Sequence, residues 1–226
     1  MPGTLYFVAT PIGNLEDITL RAIRILKDEV DLIAAEDTRH TLILLNHYDI
    51  RKPLTSYHDF NKNQKAPQLV QSLRDGKNIA LVTDAGTPGI SDPGYLLLQL
   101  AIKENIQIVP IPGVSAMATA LSVAGLPTDS FLFLGFVPRK TVSRKNFLEK
   151  LKTLECTLIF YESPFRVVGL LEDIHTVMGN RSVVIARELT KKFEEFIRGP
   201  IEDILPTLPN RTMKGEFTVL VKGNKD

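Results

Sequence analysis

Short apolar runs alternate along the chain with longer segments in which apolar residues recur at helical spacing. The runs are short enough for buried strands, and the segments between them fit amphipathic helices. Strands are predicted at residues 5–9, 31–35, 54–57, 79–82, 106–111, 131–134, 157–160, 182–186, 193–198 and 217–221. Helices are predicted after most of these strands, including 67–73, 95–101, 116–124 and 143–154. This alternation predicts an α/β fold.

The length permits one large α/β domain or two small ones. With 226 residues, of which 44% are apolar, the chain can form a substantial core. The segment Leu-Pro-Thr-Asp-Ser at 126–130 has the composition of a boundary between two halves. We place the two α/β domains at residues 1–114 and 115–226.

Charge and cysteine content exclude several classes of protein. The 27 basic and 26 acidic residues give a net charge of +1, so any RNA contact must come from a local patch. Cys156 is the single cysteine, and the four histidines show no metal-ligand spacing, so we expect no metal site. No apolar run approaches the ~20 residues that span a bilayer, and no secretory signal is evident. We therefore expect a cytoplasmic protein without a membrane segment.

The loop at residues 83–91 is the main candidate for a ligand site. It follows an apolar run at 79–82 and contains Gly86 and Gly89, which would let a ligand approach the backbone closely. It lacks the Gly-Lys-Ser/Thr ending of a phosphate loop, and it contains Asp84 and is followed by Asp92, which would repel phosphate. Such a loop suits a ligand with hydroxyls, an ammonium or another positive centre. The alternative is an ordinary strand-to-helix turn, with Asp92 as the helix N-cap and Pro93 at the first helical position.

Six polar clusters each begin just past a predicted strand, at residues 10–14, 36–39, 83–91, 112–116, 161–166 and 187–191. Capping or turn formation explains each one alone; Asp37 or Thr38, for instance, could be a helix N-cap contributing ~1 kcal/mol. If the strands are parallel, however, all six converge on one rim of a sheet or of two facing sheets. Ligands bind outside the carboxyl ends of such strands.

The densest group of positive charges lies in a predicted loop at 138–145. It contains Arg139, Lys140, Arg144 and Lys145. This group is the best candidate for phosphate contacts. A solvated basic loop is the alternative explanation.

Several motifs together resemble the ribosomal RNA small subunit methyltransferase I family. They are Val-Ala-Thr-Pro-Ile-Gly-Asn-Leu at 8–15, Glu-Asp-Thr-Arg at 36–39, Asp-Ala-Gly-Thr-Pro at 84–88, Ser-Asp-Pro-Gly at 91–94, Tyr-Glu-Ser at 161–163 and Arg-Glu-Leu-Thr-Lys at 187–191. The resemblance covers nearly the whole chain. It departs from the tetrapyrrole branch of the wider superfamily, which carries Gly-Asp-Pro where this chain has Gly86-Thr87-Pro88.

The resemblance implies a tetrapyrrole-methylase-like fold (a class III methyltransferase) of two α/β domains with mixed sheets. S-adenosylmethionine would lie in the interdomain cleft, and the chain would form a homodimer. The implied reaction is 2′-O-methylation of a cytidine ribose in 16S ribosomal RNA of the small ribosomal subunit.

Candidate site residues follow from the resemblance and from the rim clusters together. The expected cofactor-binding residues are Pro11, Ile12, Gly13, Asp84, Gly86, Thr87, Pro88, Ile90, Ser91, Ser115, Ala116 and Tyr161. Catalytic candidates, including the base that removes the ribose proton, are Asp37, Glu36, Glu162 and Lys191. Expected RNA-binding residues are Arg39, Arg139, Lys140, Arg144, Lys145, Arg166 and Arg187.

Two other functions remain open from the residues alone. A methyltransferase of the same fold could act on a tetrapyrrole or another small molecule, which would need no basic loop. A non-enzymatic RNA-binding module would use the basic loop but not the glycine-rich rim. The near-neutral charge makes the second alternative the weakest of the three hypotheses.

Overall fold

The computed structural model describes residues 1–224, which divide into two compact units. The first unit is Met1–Ser115, and the second begins at Ala116. Each unit is built around its own five-stranded sheet. Within the described residues, none of the helices is long and apolar enough to cross a membrane.

The first unit contains a wholly parallel sheet in the order β3-β2-β4-β1-β5. Its strands are β1 (Thr4–Val8), β2 (Leu32–Ala35), β3 (Leu54–Ser56), β4 (Ile79–Val82) and β5 (Gln107–Ile111). Its helices are α1 (Leu20–Arg24), continued by a π-helical turn (Ile25–Glu29), then α2 (Thr38–His47), α3 (Lys62–Arg74) and α4 (Tyr95–Lys103). A 3₁₀ turn spans Leu15–Asp17.

Strand β4 shows why this sheet is buried on both faces. All four of its residues are buried, and alternate residues point to opposite faces. Ile79 and Leu81 join the core under α3 and α4, whereas Ala80 and Val82 join the core beneath the α1 and α2 side. A continuous apolar run is the expected sequence of a strand that is covered on both faces.

The second unit contains a mixed sheet in the order β6-β7-β10-β8-β9. Its strands are β6 (Phe131–Phe136), β7 (Thr157–Glu162), β8 (Ser182–Arg187), β9 (Glu195–Pro200) and β10 (Phe217–Val221). Its helices are α5 (Ala116–Ser122), α6 (Thr141–Glu149), α7 (Val167–Met178) and the short α8 (Ile201–Ile204), followed by a 3₁₀ segment (Leu205–Asn210). β6 and β7 are parallel, while β10 runs antiparallel to both β7 and β8.

The predicted α/β class is confirmed, although the sheet of the first unit is wholly parallel and only that of the second unit is mixed. Three expected helix starts differ from the structure. Helix α3 begins at Lys62 and includes Pro67, which was expected to start it. Helix α6 begins at Thr141, so the supposed basic loop is largely helical. Gly94, not Asp92, is the N-cap of α4.

Candidate functional site

Three loops at the carboxyl edge of the first sheet are joined by hydrogen bonds. Thr10, after β1, and Gly86, after β4, exchange backbone hydrogen bonds of 2.9 and 3.0 Å. The Thr10 hydroxyl also donates to the carbonyl of Thr83 at 3.1 Å. The Thr87 hydroxyl donates to the carbonyl of Val114, after β5, at 3.3 Å. The parallel topology thus brings together loops that are far apart in sequence.

Glycines permit the close approach of these loops. Gly86 has φ of +86°, and a Cβ there would lie 3.6 Å from Ile12 Cγ2 and 3.7 Å from the Val114 oxygen. At Gly113, a Cβ would lie only 2.8 Å from the Ala9 Cβ. A side chain at either position would fill or displace the junction between the loops.

Carboxylates from β2 and the β4 loop surround Thr83. The Thr83 hydroxyl donates to Glu36 Oε2 at 2.7 Å, and the backbone N–H of Asp37 donates to Asp84 Oδ1 at 2.9 Å. Burial, followed by repulsion from Glu36 and Asp84, raises the pKa of Asp92 to about 7, although contact with Thr83 opposes the rise. Asp92 therefore changes protonation near neutral pH, which the capping interpretation of this residue did not predict.

Asp37 has a structural role at the start of α2. Its side chain accepts the backbone N–H of Arg39, which makes it the N-cap, and it also accepts the Arg39 guanidinium at 2.6 and 3.0 Å. The Arg39 side chain, and then its N–H, hold the pKa of Asp37 well below the usual range. A carboxylate that is so firmly ionised is a weak proton acceptor near pH 7.

In the second unit, a buried ion pair lies at the carboxyl end of β7. Arg166 contacts Glu162 Oε2 at 2.9 Å, and Glu162 Oε1 accepts the N–H of Ser163 at 2.7 Å. Arg166 also donates to the carbonyl of Val137 at 2.7 Å, which links the ends of β6 and β7. The Tyr161 hydroxyl accepts the N–H of Met117 at 3.1 Å, at the start of α5.

The loop after β8 is strained and carries paired charges. Glu188 and Thr190 both have positive φ, of 50° and 65°. Such conformations cost about 1–3 kcal/mol each and concentrate at functional sites. Lys191 bonds Glu188 at 3.0 Å and Glu216 at 2.8 Å. Burial would lower the pKa of Lys191, but these two bonds outweigh it and raise that pKa.

Hydrogen bonds to Glu188 lower the pKa of this carboxylate. Burial alone would raise the pKa of Glu188, but bonds from Glu216 N–H and from Lys191 leave it below its usual value. Lys191 is therefore protonated and Glu188 ionised around neutral pH. A protonated Lys191 is a poor proton acceptor around neutral pH.

Arg144, one of the expected RNA-binding residues, is buried. Only 6% of Arg144 is exposed, because its guanidinium lies between α6 and α7 and bonds Asp173 at 2.6 Å and the Gly169 carbonyl at 3.2 Å. Lys145 lies 3.5 Å from the same carboxylate. Arg139 and Lys140 remain exposed. Arg144 is buried because it lies on the face of α6 that packs on α7. The charge pattern alone does not show which of these basic residues is buried.

Most of the expected cofactor residues lie around the three joined loops of the first unit. These are Pro11, Ile12, Gly13, Asp84, Gly86, Thr87, Pro88, Ile90 and Ser91, with Ser115 at the end of the β5 loop. Ala116 and Tyr161 belong to the second unit. Arg187 donates to the Lys214 carbonyl at 2.7 Å and lies 3.5 Å from Glu195.

Comparisons with known proteins confirm the expected tetrapyrrole-methylase-like fold. The model of the Tetrapyrrole (Corrin/Porphyrin) Methylases family matches residues 4–205. The chain is 56% identical over 222 residues to ribosomal RNA small subunit methyltransferase I of Halalkalibacterium halodurans, covering 98% of this chain and 76% of that protein. It is 50% identical over 226 residues to the protein of the same name from Escherichia coli O157:H7, covering 99% and 79%.

A solved structure shows the same fold at low sequence identity. It is uroporphyrin-III C-methyltransferase from Thermus thermophilus in complex with S-adenosyl homocysteine. The TM-score is 0.67 at 16% identity, with 98% of each chain covered. At this identity the likeness shows the fold alone.

Proposed function

The chain belongs to the ribosomal RNA small subunit methyltransferase I family, and from that membership we propose that it methylates the 2′-hydroxyl of a cytidine ribose in 16S ribosomal RNA, with S-adenosylmethionine as the methyl donor. The observation that carries the proposal is identity of 50–56% to two relatives of this name over nearly the whole chain. A tetrapyrrole substrate is less well supported, because the neighbour that acts on one is only 16% identical.

The three joined loops of the first unit fit the proposed cofactor. Gly86 leaves space beside Ile12 and the Val114 carbonyl that a Cβ would fill. Glu36, Asp84 and Asp92 concentrate negative charge beside the β4 loop, which suits the positive groups of the donor. Residues that would hold it include Pro11, Ile12, Gly13, Thr87, Pro88, Ile90 and Ser91, with Ser115, Ala116 and Tyr161 also proposed.

When bound, S-adenosylmethionine supplies a methyl group on a positively charged sulfur. The residues of the chain must hold the ribose hydroxyl in line with that group and accept its proton. Correct positioning provides much of the acceleration, and a general base typically adds ~10²- to 10⁴-fold.

The protonation states and contacts of the candidate residues change their ranking as the base that accepts the ribose proton. Asp37 is held by Arg39 and Lys191 stays protonated, so both are poor proton acceptors. Glu162 is buried against Arg166, which favours a positioning role. Glu36 is only partly buried and accepts a single hydroxyl. We therefore propose Glu36 as the base, with Asp92 beside it as the second candidate because its pKa lies near 7.

The RNA contacts are proposed for exposed cations. Arg139 and Lys140 are fully available, and Arg39 is exposed apart from its bond to Asp37. Arg166 and Arg187 bond backbone carbonyls of their own unit and can offer only their remaining donors. Lys145 is half-buried beside Asp173, and Arg144 is withdrawn from this set because it is buried.

The assembly and compartment belong to the same proposal. The family resemblance favours a homodimer, and the proposed 16S ribosomal RNA substrate favours a cytoplasmic location. Light scattering on the purified chain measures the first, and fractionation of cells that express it measures the second.

Methylation of purified small subunits tests the proposed reaction. Subunits from cells that lack this chain are incubated with the protein and methyl-labelled S-adenosylmethionine, and 2′-O-methyl positions are then mapped on the RNA. We expect one new methylated cytidine. Label that appears on no RNA, or on a base, would contradict the proposal; label on an added corrin or porphyrin would instead support the small-molecule alternative.

Two variants test the assignment of the base. Glu36→Gln should lower the methylation rate by ~10²-fold or more while the protein still binds S-adenosylmethionine in calorimetry. Asp37→Asn is the matched control, and we expect its rate to stay within a few-fold of the parent. If Asp37→Asn is the inactive variant and Glu36→Gln is not, the assignment is reversed.

A further inference from the structure

Two exposed aromatic rings lie at the carboxyl end of the parallel pair β6 and β7. Phe136 closes β6 and is 61% exposed, and Phe165 follows β7 and is 95% exposed. Arg139 and Lys140 follow Phe136 within four residues and are also exposed. We call these four residues the aromatic–basic rim. None of them has a role in the core of the second unit.

A β-bulge sets the direction of Phe136. Phe133 pairs with Ile159, so a regular ladder would place Gly135 opposite Tyr161 and turn residue 136 toward the helix-covered core, where Leu134 packs. One extra residue in β6 places Phe136 opposite Tyr161 instead. Gly135 has φ of +60°, which permits the irregularity. Bulges of this kind redirect a side chain and are common beside functional sites.

The surrounding contacts hold the rim in place. The Phe136 ring meets the Tyr161 ring edge to face at 5.9 Å, and Tyr161 in turn packs on Phe133 at 4.9 Å. Arg166, paired with Glu162, donates to the carbonyls of Val137 and Pro138 at 2.7 and 3.4 Å. The two strand ends are therefore joined by side-chain bonds, although the Phe rings and the two cations project into solvent.

The chemistry of the rim matches unpaired RNA. Exposed aromatic rings provide stacking surfaces for bases, and neighbouring cations neutralise phosphates, which is how proteins hold single strands. The adjacent carboxylate, Glu162, is buried and paired, so it does not offset the exposed positive charge. An apolar protein partner would be served by the rings alone and would leave both cations without counter-charges.

We propose that the aromatic–basic rim binds a single-stranded stretch of the substrate RNA, with bases stacked on Phe136 and Phe165 and phosphates held by Arg139 and Lys140. This inference rests on the proposed function for the identity of the RNA. It gives Phe136 and Phe165 a role that their apolar character alone would not predict.

Ring removal tests the rim directly. Binding of a fluorescein-labelled oligocytidylate is followed by anisotropy, and methylation of small subunits is measured in parallel. Phe136→Leu and Phe165→Leu should each weaken oligocytidylate binding on the order of 10-fold, whereas Phe136→Tyr keeps a stacking surface and should bind nearly as well as the parent. Phe131→Leu is the matched control, since Phe131 is 45% exposed at the opposite end of the same strand.

Other measurements separate the possible failures. An unchanged stabilisation by S-adenosylmethionine shows that each variant is folded. If the parent methylates subunits and the Leu variants bind and methylate equally well, the rim proposal is overturned and the proposed function stands. If the parent methylates no subunit RNA, the proposed function fails, and oligocytidylate binding still decides the rim. If the Leu variants instead dissociate a dimer without weakening RNA binding, a second copy covers the rim and the proposal is wrong.

Discussion

Asp92 lies beside two other carboxylates, and its protonation therefore links stability to pH. Burial and the charges of Glu36 and Asp84 raise its pKa to about 7 in the folded chain, whereas the ordinary value is 3.8. The folded state then binds a proton more tightly than the unfolded state does. The stabilisation that this proton provides is complete below about pH 4 and is lost as the pH rises through 7.

Asp92→Asn removes this dependence. We expect the variant to gain thermal stability relative to the parent as the pH is raised from 5 to 8, because the parent must ionise a buried carboxyl and the variant does not. Thermal unfolding at several pH values in that range measures the difference. A constant difference across the range would show that Asp92 titrates normally.

Gly86 lies at the junction of the three loops and has φ of +86°. Gly86→Ala places a Cβ in a left-handed conformation, at a cost of about 1–2 kcal/mol, and fills the space beside Ile12. Gly125→Ala is a matched control, because Gly125 has φ of +73° and no atom within 4 Å of the added Cβ.

Both substitutions should destabilise the chain by a similar amount, but only Gly86→Ala should abolish stabilisation by S-adenosylmethionine. At a ligand concentration of 100 times Kd, that stabilisation is about 2.7 kcal/mol. The measurement is the shift in melting temperature on addition of the cofactor. Loss of the shift in the Gly125 variant as well would trace the effect to general destabilisation.

At the scale of elements, α6 and α7 are joined by a buried charge pair. Arg144 on α6 bonds Asp173 on α7, and both side chains are less than a tenth exposed. Removing one member of a buried pair leaves an uncompensated charge and costs about 3–5 kcal/mol. Lys145 lies 3.5 Å from Asp173 and compensates in part, so the lower end of that range applies.

Arg144→Ala should therefore lower the free energy of unfolding by about 3 kcal/mol, as measured by urea denaturation. Arg139→Ala, on an exposed neighbour, should change it by less than about 0.5 kcal/mol. Replacing the pair by Arg144→Met with Asp173→Leu should restore most of the loss. A stable Arg144→Ala variant with weakened RNA binding would return Arg144 to the RNA-binding set.

The bounds of a strand or helix were predicted correctly where the local sequence pattern favours the same structure as the tertiary environment. β4 and β10 were predicted with their observed bounds: β4 is an uninterrupted apolar run, and Thr218 is the single polar residue of β10. β6 was predicted to end at residue 134, but the ladder continues through a bulge to Phe136. α3 was predicted to begin at Pro67, but the helix extends back to Lys62, and Ala66 in that added segment is buried.

The positions of the loops at the candidate site could be predicted from the sequence, but the environment of individual side chains could not. Loops after parallel strands could be assigned to one edge of a sheet, and Thr10, Gly86 and Val114 do meet there. The protonation of Asp92 and the burial of Arg144 could not be predicted, because both depend on neighbours 29 to 56 residues away in sequence. Glu36 is 56 residues from Asp92, and Asp173 is 29 residues from Arg144.

At the scale of the whole molecule, the net charge of +1 gives no general attraction for RNA. Affinity must then come from a few cations that neutralise specific phosphates. Each phosphate neutralised on a single strand contributes a slope of about −0.7 to the dependence of log K on log salt. If local cations govern binding, the salt dependence should change only when those cations are removed. If overall charge governs binding, any equal change in net charge should have the same effect.

Arg139→Ala with Lys140→Ala changes the net charge from +1 to −1, and so does Lys27→Ala with Lys103→Ala. All four side chains are exposed. We expect the first pair to reduce the salt slope of oligocytidylate binding by about 1.4, because two phosphate contacts are lost, and the second pair to leave it nearly unchanged. Anisotropy titrations at several salt concentrations measure both slopes. Equal losses in the two double variants would mean that overall charge governs binding, whereas a loss confined to the first pair localises the RNA contacts to the end of β6.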